Sequence, residues 1–566
     1  MDGRTLVDLG AQRFDKIRGR KSLYIDKTGF IKEWWEYGSD VTLITRPRRF
    51  GKTLNLSMTE CFFSNRYADR GDLFQGLSIW EEEKYRKLQG TFPVIFISFA
   101  NIKAAKYEDM AYAVTEVIAE LYEQNKFLLE GEVLSSNEKN YFERIQPGIE
   151  EKVVFGSVNR LSNFLKRFYG REVIILLDEY DTPMQEAWLA GYWDQAAEFF
   201  RSFFNHTLKT NNNFLRGLIT GITRVAKESI FSDLNNMDVI TTTSEEYAAC
   251  FGFTEEEVFR VLDDVGLGGE KQNVKSRYDG FSFGTYRDIY NPWSIMSFVK
   301  KGGQYNAYWT DTSSNGLVNS LIQKGAANVK KDMEALLQGK CIKTRINEQI
   351  VFSQLDYSED ALWSLLLATG YLKVEKLECV GRLREKEYTL ALTNMEVESM
   401  FKNMVKDWFG GETAACYNEF ICALLNDNVR KMNTFMNRVA LETFSAFDSG
   451  SKPSKQAQPE RFYHGFVLGM VVNLSDRYQV CSNRESGYGR YDVMMKPYDK
   501  TDKAFIFEFK VIDLDEDEKT LEDTLLSAHA QIEEKKYEAE LIAEGYLPGN
   551  IRKYGFAFQG KRCLIG

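Results

Sequence analysis

Short apolar runs separated by stretches of helical spacing set the rhythm of the first 250 residues. Val41-Thr-Leu-Ile44, Phe92-Pro-Val-Ile-Phe-Ile-Ser-Phe99, Val173-Ile-Ile-Leu-Leu177 and Phe214-Leu-Arg-Gly-Leu-Ile-Thr220 read as buried strands. Phe30–Tyr37, Tyr107–Gln124, Val158–Phe168 and Gly191–Leu208 carry helical spacing. Leu23–Thr28 reads as a short strand or turn. Strands alternating with helices predict a parallel α/β sheet covered on both faces, here assigned to residues 1–253.

From Thr254 the pattern changes. Helical stretches alternate with turn-rich pieces such as Tyr278-Asp-Gly-Phe-Ser-Phe-Gly284 and Tyr290-Asn-Pro-Trp293. Ala361–Tyr371, followed by strand-like Leu372–Lys376 and Glu387–Leu392, is consistent with a small helical or winged-helix module. Residues 254–448 are therefore expected to be a mainly helical coupling or lid region. The polar break Ser449–Pro459 is the linker.

After the linker, Glu460–Asn473 reads as one helix with Phe462, Phe466 and Met470 on a single face. Tyr478–Cys481 is expected as a strand and Ser482–Gly489 as a Gly-rich turn. Arg490–Met495 and Ala504–Val511 are the next strands, then a helix over Leu525–Ala543 and a last strand, Lys553–Phe558. The acidic run Asp513–Lys519 reads as a solvated loop.

Composition narrows the classes. A chain of 566 residues is too long for one core and points to roughly three domains. A net charge of −10 excludes a wholly basic nucleic-acid coat but not a local basic groove. Eight scattered cysteines without a CxxC argue against a zinc ribbon or a disulfide framework. Three histidines argue against a histidine-rich metal site. No run approaches the ~18 apolar residues of a membrane span, and the first residues lack an apolar core. The expectation is a cytoplasmic protein with no membrane partner.

The stretch Val41–Ser57 joins a strand, a basic loop, Gly51-Lys52-Thr53 and a helix. That order builds a phosphate cradle: backbone N–H groups and the helix N-terminus face phosphate, the lysine reaches it, and the threonine hydroxyl ligates Mg²⁺. The general pattern asks for glycine where Arg46 stands, and the alternative is a basic turn that merely contains Gly-Lys-Thr. A second half follows at Asp178-Glu179, where a P-loop enzyme places an aspartate for Mg²⁺ and a glutamate for the attacking water. Thr220 and Thr223 could sense a γ-phosphate and Arg224 could meet its charge, or all three could cap a turn. The candidate nucleotide contacts are Arg46, Pro47, Arg48, Arg49, Phe50, Gly51, Lys52, Thr53 and Leu54, with Asp178, Thr223 and Arg224. The loop arginines either stabilise charge or are held by acidic side chains.

In the last strands, alternation puts Glu508 and Lys510 on one face and Phe507 and Phe509 on the other. With Asp492 on the neighbouring strand, two carboxylates can hold a divalent metal while Lys510 orients or polarises water, as metal-assisted phosphodiester hydrolysis requires. Oxygen ligands favour Mg²⁺ or Mn²⁺. The alternative is a cross-strand salt bridge on a half-exposed sheet.

YIDKTGFIKE, LITRPRRFGKTLNLSM, ILLDEYDTPM and GITRVAKESIFSDLNN together resemble the bacterial AAA-ATPase-like family usually fused to a C-terminal PD-(D/E)XK nuclease-like domain. Arg46 departs from the general P-loop but not from this group. The resemblance covers most of residues 1–290 and resumes after 459. There GRYDVMM and FIFEFKV, in an order α-β-β-β-α-β, are similar to the restriction-endonuclease-like fold of that superfamily. It implies ATP with Mg²⁺, Lys52 on the phosphates, Thr53 and Asp178 at the metal, and Glu179 as catalytic carboxylate. At the second site it implies Glu460 as an additional acidic residue, with Glu485 as rival. Gln531 and Tyr537 match the Q-x5-Y pattern that touches metal-bound water or the phosphate backbone. His464 and His529 are expected to be packing or phosphate contacts.

The implied function is an ATPase that gates or drives a metal-dependent nuclease acting on DNA or RNA. Related ATPases often take an arginine from a neighbouring subunit, so the resemblance also admits a homo-oligomer. A competing reading is a nucleotide-controlled switch or signalling ATPase whose nuclease-like fold only binds nucleic acid or a protein partner.

Overall fold

The computed structural model describes residues 6–224, 230–231, 236–310, 316–348, 354–355, 358–407, 412–447, 469–470, 472–475, 477–486, 489–512, 518–559 and 562–566. They form two compact units, one of residues 1–313 and 343–397, the other of residues 314–342 and 398–566. The expected middle region, 254–448, is thus divided between them. None of the helices searched among the described residues is long and apolar enough to cross a membrane.

In the first unit, β1 (Val41–Thr45), β2 (Val94–Ser98), β3 (Val173–Asp178), β4 (Phe214–Gly221) and β5 (Met237–Ile240) make one parallel sheet in the order β2-β3-β4-β1-β5. Every residue of β1 and β3 is buried, which is why these strands read as unbroken apolar runs. The register sets Ile44 beside Thr220 and Leu177 beside Ile219, so the carboxyl ends of β1, β3 and β4 finish together.

Several boundaries differ from expectation. Of the two readings of Leu23–Thr28, the turn holds: Thr28 turns into the helix Gly29–Tyr37, and the Asp26 carboxylate accepts from the Thr28 and Ser78 N–H groups. The expected helix Gly191–Leu208 is Trp193–Phe204 continued by a π-helical turn at Asn205–Lys209; the helix before it, Thr182–Ala190, was not anticipated and ends at Gly191, which adopts φ +83. β5 was not anticipated; it is four residues long, at the sheet edge, and interrupted by Asp238.

The same unit carries β6 (Phe253–Thr254), β7 (Phe281–Phe283) and β8 (Tyr286–Tyr290) in a small antiparallel sheet, and then the helix Pro292–Lys300. β9 (Ile342–Thr344), β10 (Leu372–Val380) and β11 (Glu385–Leu392) form a third sheet in the order β10-β11-β9. With the helix Glu359–Ala368, it makes a helix-and-hairpin module where a small helical or winged-helix module was expected.

The second unit holds β12 (Tyr478–Ser486), β13 (Gly489–Pro497), β14 (Ala504–Val511), β15 (Ile551–Gln559) and β16 (Arg562–Ile565), paired in chain order. All neighbours are antiparallel except β14 and β15. The expected turn Ser482–Gly489 is mostly strand, since Arg484 pairs with Tyr491 and Glu485 with Arg490. The expected helix Leu525–Ala543 is Leu521–Lys535 and Ala539–Ala543, separated where Lys536 turns left-handed at φ +50. The start of the helix expected over Glu460–Asn473 lies outside the described residues; Gly469–Met470 and Val472–Leu474 are helical.

Amide side chains bond to both edge strands of this sheet. Asn433 and Asn437, one turn apart on the helix Val429–Phe447, each donate to and accept from β16, at Ile565 (2.7 and 2.8 Å) and Cys563 (2.7 and 2.9 Å). Gln338 donates to the Val480 carbonyl of β12 at 2.7 Å. Each occupies backbone groups that an open edge would offer to another chain.

Candidate active sites

The first site lies where β1, β3 and β4 end. Gly51 at φ +83 turns the chain from the loop into the helix Lys52–Phe63. Lys52 is buried, and its Nζ donates to the Arg46 and Pro47 carbonyls at 2.9 Å each. Burial lowers its pKa, against the pull of Glu179, Asp181 and Asp178. Thr53 Oγ1 donates to Asp178 Oδ2 (2.8 Å), and Thr220 Oγ1 donates to Asp178 Oδ1 (2.7 Å). Burial pushes the Asp178 carboxyl up despite these bonds. Thr220 reaches Asp178 from β4, the strand next to β3, and Thr53 from the helix that follows β1. Glu179 sits at φ +50, an uncommon conformation for a residue with a Cβ, and its Oε2 accepts from Thr182 Oγ1 at 3.3 Å.

Other expected nucleotide contacts have different partners. Arg46 is fully buried: it donates to the carbonyls of Thr45 (2.9 Å), Thr241 (2.7 Å) and Glu246 (3.2 Å), over the Phe283 ring at 4.3 Å. Burial lowers its pKa to about 9. Its backbone is not among those with positive φ, which is why the position does without glycine. Thr223 gives both its N–H and its hydroxyl to Asp181 Oδ2, at 2.8 Å each. Arg224 lines an open cleft with Thr45, Thr243 and Glu348. Leu54 is half-buried in the first helical turn. A Cβ on Gly370 would meet the Pro47 ring, the Arg48 carbonyl accepts from Asn291 Nδ2 at 3.2 Å, Arg49 lies 4.3 Å above the Trp293 ring, and Phe50 packs edge-on to Phe281 and Phe283.

Asp181 is a residue the sequence reading missed. It is fully buried, its pKa is raised by burial, and its Oδ1 has no hydrogen-bond partner among the described residues. The signal was available as the third acid of Asp178-Glu-Tyr-Asp181, just before a Thr-Pro helix start.

The second site lies on β13, β14 and the helix Leu521–Lys535. Val493 pairs with Phe507 and Met494 with Ile506; one further step of that register sets Asp492 opposite Glu508. Glu508 is buried, and Lys510, half-buried two residues on, shares its face. Gln531 Nε2 donates to Glu508 Oε1 and, at 3.0 Å, to the Tyr537 hydroxyl. The Phe509 N–H donates to Asp492 Oδ2 at 2.8 Å. Glu508 Oε2 is buried with no partner among the described residues. Burial first, and the Asp492 charge second, push the Glu508 carboxyl up to about 8, while Lys510 pulls it down. Glu460 lies outside the described residues, as do His464 and the Glu485 side chain. His529 is bound at Nε2 to the Gly566 carbonyl, 2.9 Å away.

Residues 8–231 match the family model described as a predicted AAA-ATPase, and residues 458–566 match that of the PD-(D/E)XK nuclease superfamily. The chain joins an AAA-ATPase-like domain to a PD-(D/E)XK nuclease superfamily domain. A protein from Azotobacter chroococcum mcd 1, described as an uncharacterized protein in the vnfD 5' region, is 24% identical over 529 residues, 90% of either chain. The solved Aeropyrum pernix ORC2 protein (ADPNP-ADP complexes) is 10% identical and covers 71% of this chain and 97% of its own, with a TM-score of 0.23, too low to carry an argument.

Both sites fit the groups that domains of these kinds generally use, a nucleotide and a divalent metal. In the AAA-ATPase-like domain, Thr53 and Asp178 offer adjacent hard oxygens beneath a phosphate loop. In the nuclease superfamily domain, the orphaned Glu508 oxygen facing Asp492 is a costly arrangement without a cation and a sound one with it.

Proposed function

We propose that the protein binds and hydrolyses ATP with Mg²⁺, and that this controls a divalent-metal-dependent nuclease in its C-terminal domain, acting on DNA or RNA in the cytoplasm. The observation that carries the nuclease reading is Glu508: a buried carboxylate with one oxygen unbonded, facing Asp492 and two residues from Lys510. A cross-strand salt bridge alone would leave no buried oxygen unsatisfied.

When bound, the metal supplies charge at the scissile phosphate and a more acidic water. Asp492 and Glu508 would hold it, with Glu460 as the additional acid. Lys510 would orient the attacking water. Gln531 holds Glu508 in place and is itself fixed by Tyr537. In the AAA-ATPase-like domain, Lys52 would leave the loop carbonyls for the phosphates, Thr53 and Asp178 would hold Mg²⁺, and Glu179 would take the proton of the attacking water.

The test is cleavage of labelled single- and double-stranded DNA and RNA by the purified chain, in Mg²⁺ or Mn²⁺, with and without ATP. Cleavage that is lost in Glu508→Ala/Lys510→Ala and altered by Lys52→Ala supports the reading. ATP turnover without cleavage of any substrate refutes the nuclease half and leaves a nucleotide-controlled binding module.

A further inference from the structure

The five residues between Thr45 and Lys52's glycine are each gripped from outside the loop. Arg46 is bound by the carbonyls of Thr241 and Glu246, the Arg48 carbonyl by Asn291, Arg49 by the Trp293 ring, and Phe50 by Phe281 and Phe283. The Gly252 N–H also donates to the Phe50 carbonyl at 3.3 Å. Pro47 is met by Gly370, which joins the helix Glu359–Ala368 to β10. A phosphate loop rich in glycine reaches its shape through backbone freedom. This one places Arg49 at φ +66, a conformation that costs an L-residue roughly 1–2 kcal/mol. The guanidinium over the indole is a contact that can offset that cost.

We propose that Trp293, Phe281, Phe283 and Gly370 are positioning residues for the nucleotide: they hold Arg46–Phe50 in the shape that receives phosphate, and so tie nucleotide occupancy to the helix-and-hairpin module that contains Gly370. The proposal rests on the reading that ATP binds at Lys52 and Thr53. The route is short. A Cβ on Gly370 would stand 2.9 Å from Pro47 Cγ, and the Pro47 carbonyl is one of the two that hold Lys52 Nζ. Whatever a push at Gly370 does to nucleotide affinity, nucleotide does in the same measure to the equilibrium of the module, because coupling between two sites is reciprocal.

Gly370 and Gly381 provide a matched pair. Both have positive φ, +84 and +70, so alanine is strained at either. At Gly381 nothing lies within 4 Å of a new Cβ, whereas at Gly370 it meets Pro47 and, at 3.0 Å, Phe281. Binding of a fluorescent ATP analogue to the full chain in Mg²⁺ should weaken about tenfold or more, ~1.4 kcal/mol, in Gly370→Ala and stay within about twofold in Gly381→Ala. Trp293→Leu should weaken binding and Trp293→Phe, which keeps a ring beneath Arg49, should restore most of it. Should Gly370→Ala fail to fold, amide exchange of the native chain decides: the non-hydrolysable analogue must slow exchange in both 281–293 and 366–374. Binding abolished by Lys52→Ala but unchanged in Gly370→Ala and Trp293→Leu overturns this proposal and spares the nucleotide site. The native chain failing to bind the analogue overturns both.

Discussion

Raising the pH should destabilise the metal-free nuclease superfamily domain, and Glu508→Gln should abolish that effect. The Glu508 carboxyl is pushed from an ordinary 4.5 up to about 8, by burial first and by Asp492 second. The unfolded chain gives up this proton at the ordinary value, so across the interval the folded state holds a proton that the unfolded state has lost. Stability from this group is therefore complete below pH 4.5 and falls as pH rises through about 8. At about 1.4 kcal/mol for each tenfold in proton affinity, the fall is on the order of 5 kcal/mol. Glutamine cannot ionise, so this contribution should be missing from the variant's profile over that window. A divalent cation favours the ionised pair and should reverse the fall: its stabilisation should be largest near pH 8, small at pH 5 and absent in Glu508→Gln. Scanning calorimetry of the full chain from pH 5 to 9, in EDTA and in Mn²⁺, reads all of this from the transition that the variant alters. Parallel pH profiles for the native chain and Glu508→Gln, or equal metal stabilisation of both, would refute the reasoning and make the pair an ordinary buried contact.

Three further variants test other elements. In Gly555→Ala, the new methyl would stand 2.7 Å from Leu525 and 3.1 Å from Ala528, prising the helix Leu521–Lys535 off β15; the expected loss is ~1–3 kcal/mol by denaturant titration, with weaker Mn²⁺ binding as Gln531 leaves Glu508. Asn433→Ala/Asn437→Ala strips four hydrogen bonds from the β16 edge and should lower the unfolding free energy by a few kcal/mol and promote aggregation, seen by light scattering. Arg46→Gly restores the general P-loop pattern yet should destabilise the AAA-ATPase-like domain by roughly 2–4 kcal/mol, because it empties a buried site and removes the guanidinium bonds to the Thr45, Thr241 and Glu246 carbonyls; a gain in stability or in ATP affinity would overturn this account.

How far each part could be read in advance follows from where its cause lies. β1 and β3 were legible because both faces are buried, which leaves a contiguous apolar run in the chain itself. β5 was not, because a short edge strand needs few apolar residues and takes its identity from β1 beside it. Asp492, Glu508 and Lys510 could be picked out because strand alternation is a local rule, and only one register was needed to bring the carboxylates face to face. The phosphate loop shows the limit of the same approach. Its motif fixes where Lys52 and Thr53 stand, since the backbone route from strand to helix is local. It is silent on where a long side chain leaving that backbone will end, and the Arg46 guanidinium ends on carbonyls some 195 to 200 residues away. Basic residues beside a phosphate motif invite an electrostatic reading, yet the Arg46 guanidinium is held by main-chain carbonyls and the Phe283 ring, which offset the cost of burying it. The loop's charge in the sequence is therefore a poor guide to its charge in the site: of its three arginines, one is fully buried and a second lies against an aromatic face, and what Lys52 gains from the loop is the placement of two carbonyl oxygens.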